Sequence, residues 1–236
     1  LVVNDLYSQH VTFHVLPEHL SPAAIDELAA DVAVEKYKSS LGKYGCEDIM
    51  LVSPRKNGAA GVNTLNRRVR DFCNPLSSKT IDNVVWRHDK SSGNNYFEDK
   101  GVECPGCIAY YEKQGSKNVP VMYRINDRVI RIRDNDAEKE WTVYENNIIG
   151  SDILEVGNGF YNGESGTIVR FERGPKETFI YILLDDGKYV RLNVTRNELS
   201  VLSLGYAITA HKAQGSEAPV VISVIPEEVV NMDRHK

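Results

Sequence analysis

The feature that most constrains this chain is a short segment near its end, in which polar residues are set among small apolar ones. The segment runs from Ala207 to Glu217 and reads AITAHKAQGSE. Its alanines and other apolar residues predict a short buried helix, on which His211 and Gln214 share a face because they lie three positions apart. Gly215 ends this helix, and the backbone amides that follow are free to face a ligand.

The segment leads into an apolar run, Val220–Ile225, which predicts a strand buried on both faces. Strands of this kind occur in parallel sheets, where the loops at the strand ends carry polar groups on a rigid support. The glycine-containing turn ahead of the run therefore predicts a ligand-facing site in an α/β fold.

The polar residues of this segment resemble motif V of superfamily 1 helicases, and most closely that of the RecD-like group, which includes the alpha subunit of exodeoxyribonuclease V. The matching positions are Thr209, His211, Lys212, Gln214, Gly215, Ser216 and Glu217. Two departures are Ala213, where the motif often has serine, and Ala218-Pro219, where it has an apolar residue. The alternative is a buried helix with incidental polar residues.

The resemblance implies a role for most of these positions. On the DNA side, the implied contacts are Thr209, His211 and Lys212. At the ATP cleft, the implied catalytic residues are Gln214 and Glu217, and the implied nucleotide contacts are Gly215 and Glu217.

Composition and charge fit a globular protein and leave nucleic acid open as a partner. The 236 residues are 42% hydrophobic and 26% charged, which suits one large or two small domains. The net charge of −5 counts mildly against nucleic acid, but the distribution of charge matters more than its sum. Five residues from Ser53 to Arg70 are basic and none is acidic, and a second basic cluster comprises Arg124, Arg128, Arg131 and Arg133. Each cluster is either a phosphate-facing surface or a solvated face.

The cysteines and the apolar runs predict a cytoplasmic protein. No run approaches the roughly 20 residues that span a bilayer, so we expect no membrane partner. Four cysteines are too few for a dense disulfide framework, which favours a reduced cytosolic protein. Cys104 and Cys107 form a Cys-x-x-Cys pair, which is half of a zinc site or a redox pair. Because a second pair is missing, we expect no bound metal.

The first third of the chain has a parallel α/β pattern. Its predicted elements are a strand (Val11–Leu16), a helix from Ser21-Pro22 to about Ser39, a strand (Ile49–Val52), a loop (Ser53–Gly61) and a helix that ends at Asn74-Pro75. Helix, strand, loop and helix in this order indicate a parallel sheet with flanking helices.

The Ser53–Gly61 loop suggests a phosphate-binding site, because free amides at a helix N-terminus attract anions. It is not a nucleotide P-loop, since Val62-Asn63 follows Gly61 where that motif has lysine and serine or threonine, and the motif occurs nowhere in the chain. The stretch also resembles RecD-like helicases, through SPRKNG after the strand and the final Asn74-Pro75. The resemblance implies a loop beside the DNA, with contacts from Ser53, Arg55 and Lys56.

The middle of the chain changes character twice. Residues 77–121 look irregular and polar, and we interpret them as an insertion. From Met122 the apolar period becomes two, which predicts strands at Arg128–Arg133, Gly166–Phe171, Phe179–Leu184 and Tyr189–Asn193. An Asp-Gly turn at Asp185–Gly187 favours a hairpin over a Walker B strand. Such strands close into a small barrel, and RecD-like helicases carry an SH3-like barrel at this point.

We therefore predict an α/β protein: a second RecA-like domain (residues 1–76 and 199–236) with an irregular insertion (77–121) and an inserted SH3-like β-barrel (122–198). By resemblance it is the C-terminal part of an ATP-dependent helicase that moves along single-stranded DNA and unwinds duplexes in recombination and repair. ATP and Mg²⁺ would be held mainly by residues ahead of Leu1, with a final arginine motif after Lys236. We expect no tightly bound cofactor and no ATP hydrolysis by this chain alone.

The resemblance implies three partners: single-stranded DNA, the first RecA-like domain of the same protein, and the subunits of a nuclease complex. Two other classes of function stay open. One is a module that binds nucleic acid or protein without a motor, and the other is a thiol or zinc protein built on Cys104 and Cys107. A P-loop upstream would decide against the first alternative, and metal analysis would test the second.

Overall fold

The computed structural model describes residues 20–75, 84–88, 95–99, 102–103, 107–114, 117–132, 142–144, 153–156, 160–173, 178–193 and 201–225. The predicted strand at Val11–Leu16 lies outside these residues. In chain order the elements are α1 (Pro22–Ser40), a 3-10 helix (Cys46–Asp48), β1 (Ile49–Ser53), α2 (Val62–Cys73), β2 (Val84–His88), β3 (Asn95–Asp99), β4 (Val102–Glu103), β5 (Cys107–Gln114), β6 (Lys117–Arg124), β7 (Arg128–Arg131), β8 (Thr142–Tyr144), β9 (Ile153–Val156), β10 (Ser165–Arg173), β11 (Thr178–Leu184), β12 (Tyr189–Asn193), β13 (Leu202–Leu204), β14 (Ala207–Thr209), α3 (Ala210–Ala213) and β15 (Val220–Ser223).

The two long helices begin and end at the residues that the sequence marks. Ser21 caps α1 by accepting the Ala24 N–H at 3.3 Å, and Pro22 occupies the first turn, where its missing N–H leaves no bond unmade. Helix α2 starts after Gly61 and stops at Asn74, just before a proline. Both helices and β1 are confirmed close to their predicted limits. No helix in the described ranges combines the length and the apolarity needed to cross a membrane.

A parallel sheet of three strands, in the order β14-β1-β15, carries these helices on one face. The side chains of Ile49 and Leu51 are buried, and they share a core with Leu65 and Val69 of α2. Full burial of a leucine such as Leu65 stabilises a fold by about 1.5–3 kcal/mol. The parallel sheet with its helices confirms the α/β class.

The segment from Ala207 to Glu217 is not the buried helix that we predicted. Ala207–Thr209 forms strand β14, which pairs with β1, and only the single helical turn α3 follows it. A short apolar run fits a buried strand as well as a helix, and here strand pairing uses it. The polar residues His211 and Gln214 are consequently exposed.

Strand β15 is also less buried than predicted. Its side chains alternate between half-buried and exposed, and Val221 is 56% exposed. The reason is its position: among the described strands β15 lies at the edge of the sheet, and α1 and α2 cover one face only. The other face carries Met50, Val52 and Val221, which line an open groove.

An antiparallel sheet of seven strands has the order β13-β7-β10-β11-β12-β8-β9. The four predicted strands are confirmed, and the Asp185–Gly187 turn joins β11 to β12 as the predicted hairpin, with Gly187 at a φ of 88°. An SH3-like barrel is not confirmed, because the pairings in the described residues run from β13 to β9 without closing. Strand β13 falls in the part assigned to the RecA-like domain but pairs with β7. The domain limits themselves stay predictions.

We predicted that residues 77–121 are irregular, but the described residues of this range form β2 to β5 and the start of β6. These strands form a five-stranded antiparallel sheet in which β4 pairs with β3. The prediction was wrong because polar residues interrupt the apolar period here, as in CIAYYEKQ of β5, whereas strand pairing depends on backbone groups and sheet context.

The layer of α2 and the parallel sheet meets the seven-stranded sheet at a polar seam around Asp127, which is fully buried. Its carboxylate accepts the Asn74 side-chain N–H at 2.8 Å and the Arg124 backbone N–H at 2.8 Å. Burial raises the pKa of Asp127, and the positive charge of Arg70, 3.9 Å away, opposes that rise. The end of α2 is thereby fixed to the turn before β7.

Candidate nucleic-acid interface

The two candidate DNA segments follow adjacent strands of the parallel sheet and lie at the same end of that sheet. Ser53 ends β1, Thr209 ends β14, and the two residues are register partners. The carboxyl ends of parallel strands meet at the same edge of a sheet, so the loop after Ser53 and the turn after Thr209 lie side by side. The structure therefore brings together two segments that are far apart in sequence and were each predicted to contact DNA.

The turn after Thr209 presents polar groups to solvent. His211 and Gln214 are exposed, and both line a groove of about 540 Å³ on the uncovered face of the sheet. The Thr209 hydroxyl does not cap α3, although Thr209 stands at the cap position. Gly215 then turns the chain at a φ of 83°, a conformation that glycine adopts without strain, and Glu217 follows as an exposed residue.

Lys212 lies differently from its neighbours in the turn. Its ammonium group donates to the Asn162 side-chain oxygen and lies 3.5 Å from the Arg131 carbonyl oxygen. Both partners belong to the seven-stranded sheet or the turn that enters it. This contact joins residues 50 and 81 positions apart, so periodicity in the sequence could not reveal it.

The amides of the Ser53–Gly61 loop bind an anion, but that anion is part of the chain. The Asp26 carboxylate on α1 accepts the N–H of Ala59 at 2.8 Å and that of Ala60 at 3.3 Å, and it pairs with the Arg55 guanidinium. Asp26 thus occupies the phosphate-binding position predicted for this loop. Sequence reasoning missed it, because the acidic residue lies 33 and 34 positions ahead of the two amides that it binds.

Two further side chains of this loop have different surroundings. Ser53 is 1% exposed, and its hydroxyl donates to the Ala60 carbonyl at 2.7 Å, so it closes the loop from inside. Lys56 is exposed on the outer side of the loop. Of the two loop cations predicted to contact phosphate, Lys56 therefore points to solvent while Arg55 is paired with a carboxylate.

The three described arginines of the second basic cluster form neither a phosphate-facing surface nor a solvated face. Arg124, Arg128 and Arg131 are buried. Arg128 forms two hydrogen bonds with the Asp185 carboxylate at 2.5 and 2.8 Å, which hold the pKa of Arg128 above its ordinary value against the opposing effect of burial. Arg124 donates to the Asn74 carbonyl at the seam, Arg128 holds the hairpin turn through Asp185, and Arg131 donates to the Phe160 carbonyl. Arg133 lies outside the described residues.

A cavity of about 300 Å³ lies between the parallel sheet and the seven-stranded sheet, and Ser216 and Glu217 are among the residues that line it. Its carboxylates come from Glu47, Glu164, Asp185, Asp186 and Glu217. Arg128, whose guanidinium is engaged by Asp185, is the cation on its wall. Clustered carboxylates disfavour a nucleotide phosphate by charge repulsion, so we do not assign the triphosphate of ATP to this cavity.

Cys46 and Cys73 are free thiols that interact across the end of α2. The hydrogen bond from the Cys73 thiol lowers the pKa of Cys46, and the same interaction with burial raises the pKa of Cys73. Among the described side chains, no three of the metal-ligating kind are grouped as a metal site. Cys104 and the side chain of Cys107 fall outside that description, so the zinc alternative stays untested.

Comparison with known proteins gives a partial match. No model of a protein family matches the chain. Over 98 residues, or 42% of its length, the chain is 35% identical to the ATP-dependent RecD2 DNA helicase of Deinococcus radiodurans. The match spans only 12% of that relative. Part of this chain is therefore similar to part of a RecD-like helicase.

Proposed function

We propose that this chain is the C-terminal part of a RecD-like superfamily 1 helicase, which couples ATP hydrolysis to movement along single-stranded DNA and to duplex unwinding. The observation that best supports this is the register of Ser53 with Thr209, which sets a basic loop beside the turn that resembles motif V. The partial similarity to a RecD2 DNA helicase supports the same function. Roles in recombination and repair, alone or with nuclease subunits, follow from the resemblance.

On the DNA side, we propose that Lys56, His211 and the Thr209 hydroxyl bind the phosphate backbone. Lys56 and His211 are exposed, and the Thr209 hydroxyl is not used to cap α3. A hydroxyl that donates to a phosphate forms a charge-assisted hydrogen bond worth roughly 1.5–3 kcal/mol. These three phosphate contacts lie at the carboxyl ends of two adjacent β-strands. This placement suits one DNA strand that runs across that end of the sheet.

Two loop residues receive smaller roles than the sequence implied. Arg55 is neutralised by Asp26, so its attraction for a phosphate is weaker than that of an unpaired cation. Ser53 holds the loop closed through its hydrogen bond to Ala60 and is buried, so we assign it to loop shape rather than to DNA contact.

On the nucleotide side, Gln214, Gly215 and Glu217 are exposed and directly follow the single helical turn α3. The Gln214 side-chain amide, the Gly215 backbone N–H and the Glu217 carboxylate suit hydrogen bonds to a ribose and to groups around the phosphorus atom that water attacks. They do not suffice for a triphosphate with its Mg²⁺, and the chain has no Gly-x4-Gly-Lys-Ser/Thr sequence. We therefore assign them to one wall of an ATP cleft, with the first RecA-like domain as the other wall.

The experiment is an ATPase assay of the chain alone and of the chain joined to its upstream region, with and without single-stranded DNA. The chain alone should turn over no ATP, and the longer protein should be stimulated by DNA. In the longer protein, Gln214→Ala should lower the stimulated rate and leave DNA affinity unchanged, because Gln214 acts when the cleft closes. Hydrolysis by the chain alone, or a longer protein that DNA does not stimulate, would contradict the proposal.

A further inference from the structure

The turn that resembles motif V (residues 210–217) is attached to the seven-stranded sheet at two places, one ahead of β14 and one at Lys212. We propose that Lys212 is a positioning residue, which ties this turn to the Phe160–Glu164 turn, and that it is not a phosphate contact. Its ammonium group donates to the Asn162 side chain and lies 3.5 Å from the Arg131 carbonyl. The resemblance to motif V placed Lys212 near DNA, but its partners lie on the neighbouring sheet.

The first attachment is covalent and short. Strand β13 belongs to the seven-stranded sheet and β14 to the parallel sheet, and only Gly205 and Tyr206 connect them. The Gly205 N–H donates to the Arg128 carbonyl at 2.9 Å, and a Cβ at Gly205 would come within 2.8 Å of the Val129 backbone. Tyr206 is 2% exposed. This connection has no room to act as a flexible hinge.

The second attachment is the Lys212 tether, and the turn that receives it is well ordered by its own contacts. The Arg131 N–H donates to the Glu164 carbonyl at 2.9 Å, and the Gly163 N–H donates back to the Arg131 carbonyl at 2.9 Å. The Arg131 guanidinium donates to the Phe160 carbonyl and lies 5.7 Å from the centre of the Phe160 ring. Lys212 therefore binds a turn, Phe160–Glu164, that its own hydrogen bonds already hold in place.

Together, the two attachments prevent the turn from moving relative to the seven-stranded sheet. The connection at Gly205 and Tyr206 holds only the start of β14; with Lys212 bound as well, the turn that follows β14 is also held, and the turn and the seven-stranded sheet move as one body. What this tether does in a motor rests on the proposed function. A displacement of Gln214 on cleft closure would be carried to the seven-stranded sheet through Lys212, only two positions away.

The test is a double-mutant cycle on the whole chain, with Lys212→Met and Asn162→Ala alone and combined. Methionine keeps the length of the side chain and removes the donor. If Lys212 and Asn162 interact, the double variant should unfold no more easily than the worse single variant, and the cycle should show a coupling of about fivefold in the unfolding equilibrium constant. Additive effects would overturn the tether.

Titrations with an oligothymidine single strand over a range of salt concentrations separate the tether from a phosphate contact. As a tether, Lys212→Met should leave the salt slope within error of that of Asn162→Ala. A slope that falls by about 0.7 in Lys212→Met alone would show a phosphate contact and overturn the proposal. If the unaltered chain binds no single strand, the proposed function fails, while the stability cycle still decides whether the tether exists.

Discussion

Asn66 and Ala207 exchange two hydrogen bonds: the Asn66 Nδ2 donates to the Ala207 carbonyl at 2.9 Å, and the Ala207 N–H donates to the Asn66 Oδ1 at 2.8 Å. The Asn66 side chain on α2 thus binds the N–H and the carbonyl of Ala207, the two backbone groups of this residue that a further β-strand would otherwise bind. Asn66 is 2% exposed, so neither bond is replaced by water without rearrangement. Helix α2, which begins at the end of the Ser53–Gly61 loop, thereby fixes the strand that carries Thr209.

Asn66→Ala should destabilise the chain by about 2–4 kcal/mol, since it leaves two buried backbone groups without partners. Asn66→Asp should be at least as harmful at neutral pH, because a carboxylate oxygen would then face the Ala207 carbonyl. Asn63→Ala, on the exposed side of the same helix, is the matched control and should cost well under 1 kcal/mol. Urea unfolding measures all three, and equal losses at both positions would refute the role assigned to Asn66.

The Asp26 carboxylate should be replaceable by an added anion. Asp26→Ala frees the amides of Ala59 and Ala60 and the guanidinium of Arg55, so this variant should melt at a lower temperature and recover part of the loss in sulfate. Glu27→Ala, at the exposed neighbouring position, is the control and should respond to sulfate like the unaltered chain. The absence of sulfate-specific recovery in Asp26→Ala, compared with chloride at equal ionic strength, would show that an added anion does not replace the Asp26 carboxylate.

The two loop cations should contribute unequally to DNA binding. Lys56→Ala should lower the salt slope of single-strand binding by about 0.7, the value for one phosphate contact. Arg55→Ala should lower it by clearly less, because Asp26 neutralises Arg55. Lys36→Ala, an exposed charge change on α1, is the control. A larger effect at Arg55 than at Lys56 would mean that the ion pair opens when DNA binds.

Cys46 should react with iodoacetamide faster than Cys73 at neutral pH. The hydrogen bond from Cys73 lowers the pKa of Cys46, so its thiolate persists at pH values where an ordinary cysteine is protonated. The rate should therefore begin to rise at lower pH for Cys46, and Cys73→Ala should shift that rise to higher pH. Peptide mapping by mass spectrometry reads each cysteine separately, and an unchanged pH profile in Cys73→Ala would rule out the interaction.

Local sequence signals predicted the parts of the fold that local chemistry decides. The Ser21-Pro22 pair fixed the start of α1, and the Asp-Gly turn at Asp185–Gly187 identified the hairpin. The Ala207–Thr209 strand was misread as helix because three apolar or small residues carry no clear period. Its partner strand β1 lies 156 positions away in sequence, as in the pair Leu51 and Ala207.

The sequence could nominate candidate site residues but not the residues that they contact. Thr209, His211 and Lys56 could be named from the sequence, since motif and charge are local properties. The partners that decide what each residue does are distant in sequence: Asp26 for Arg55, and Asn162 for Lys212. The exposure of Val221 likewise depends on what covers the sheet, which periodicity does not encode.

In the proposed function, a single strand of DNA crosses the parallel sheet at the carboxyl ends of β1 and β14. The most direct measurement is the affinity of the chain for an oligothymidine strand with Thr209→Val, which removes the hydroxyl and keeps the side-chain shape. The account predicts about tenfold weaker binding or more, with an unchanged melting temperature. Thr167→Val, on the seven-stranded sheet, is the matched control and should bind like the unaltered chain. Equal affinity for Thr209→Val and the unaltered chain would contradict the account.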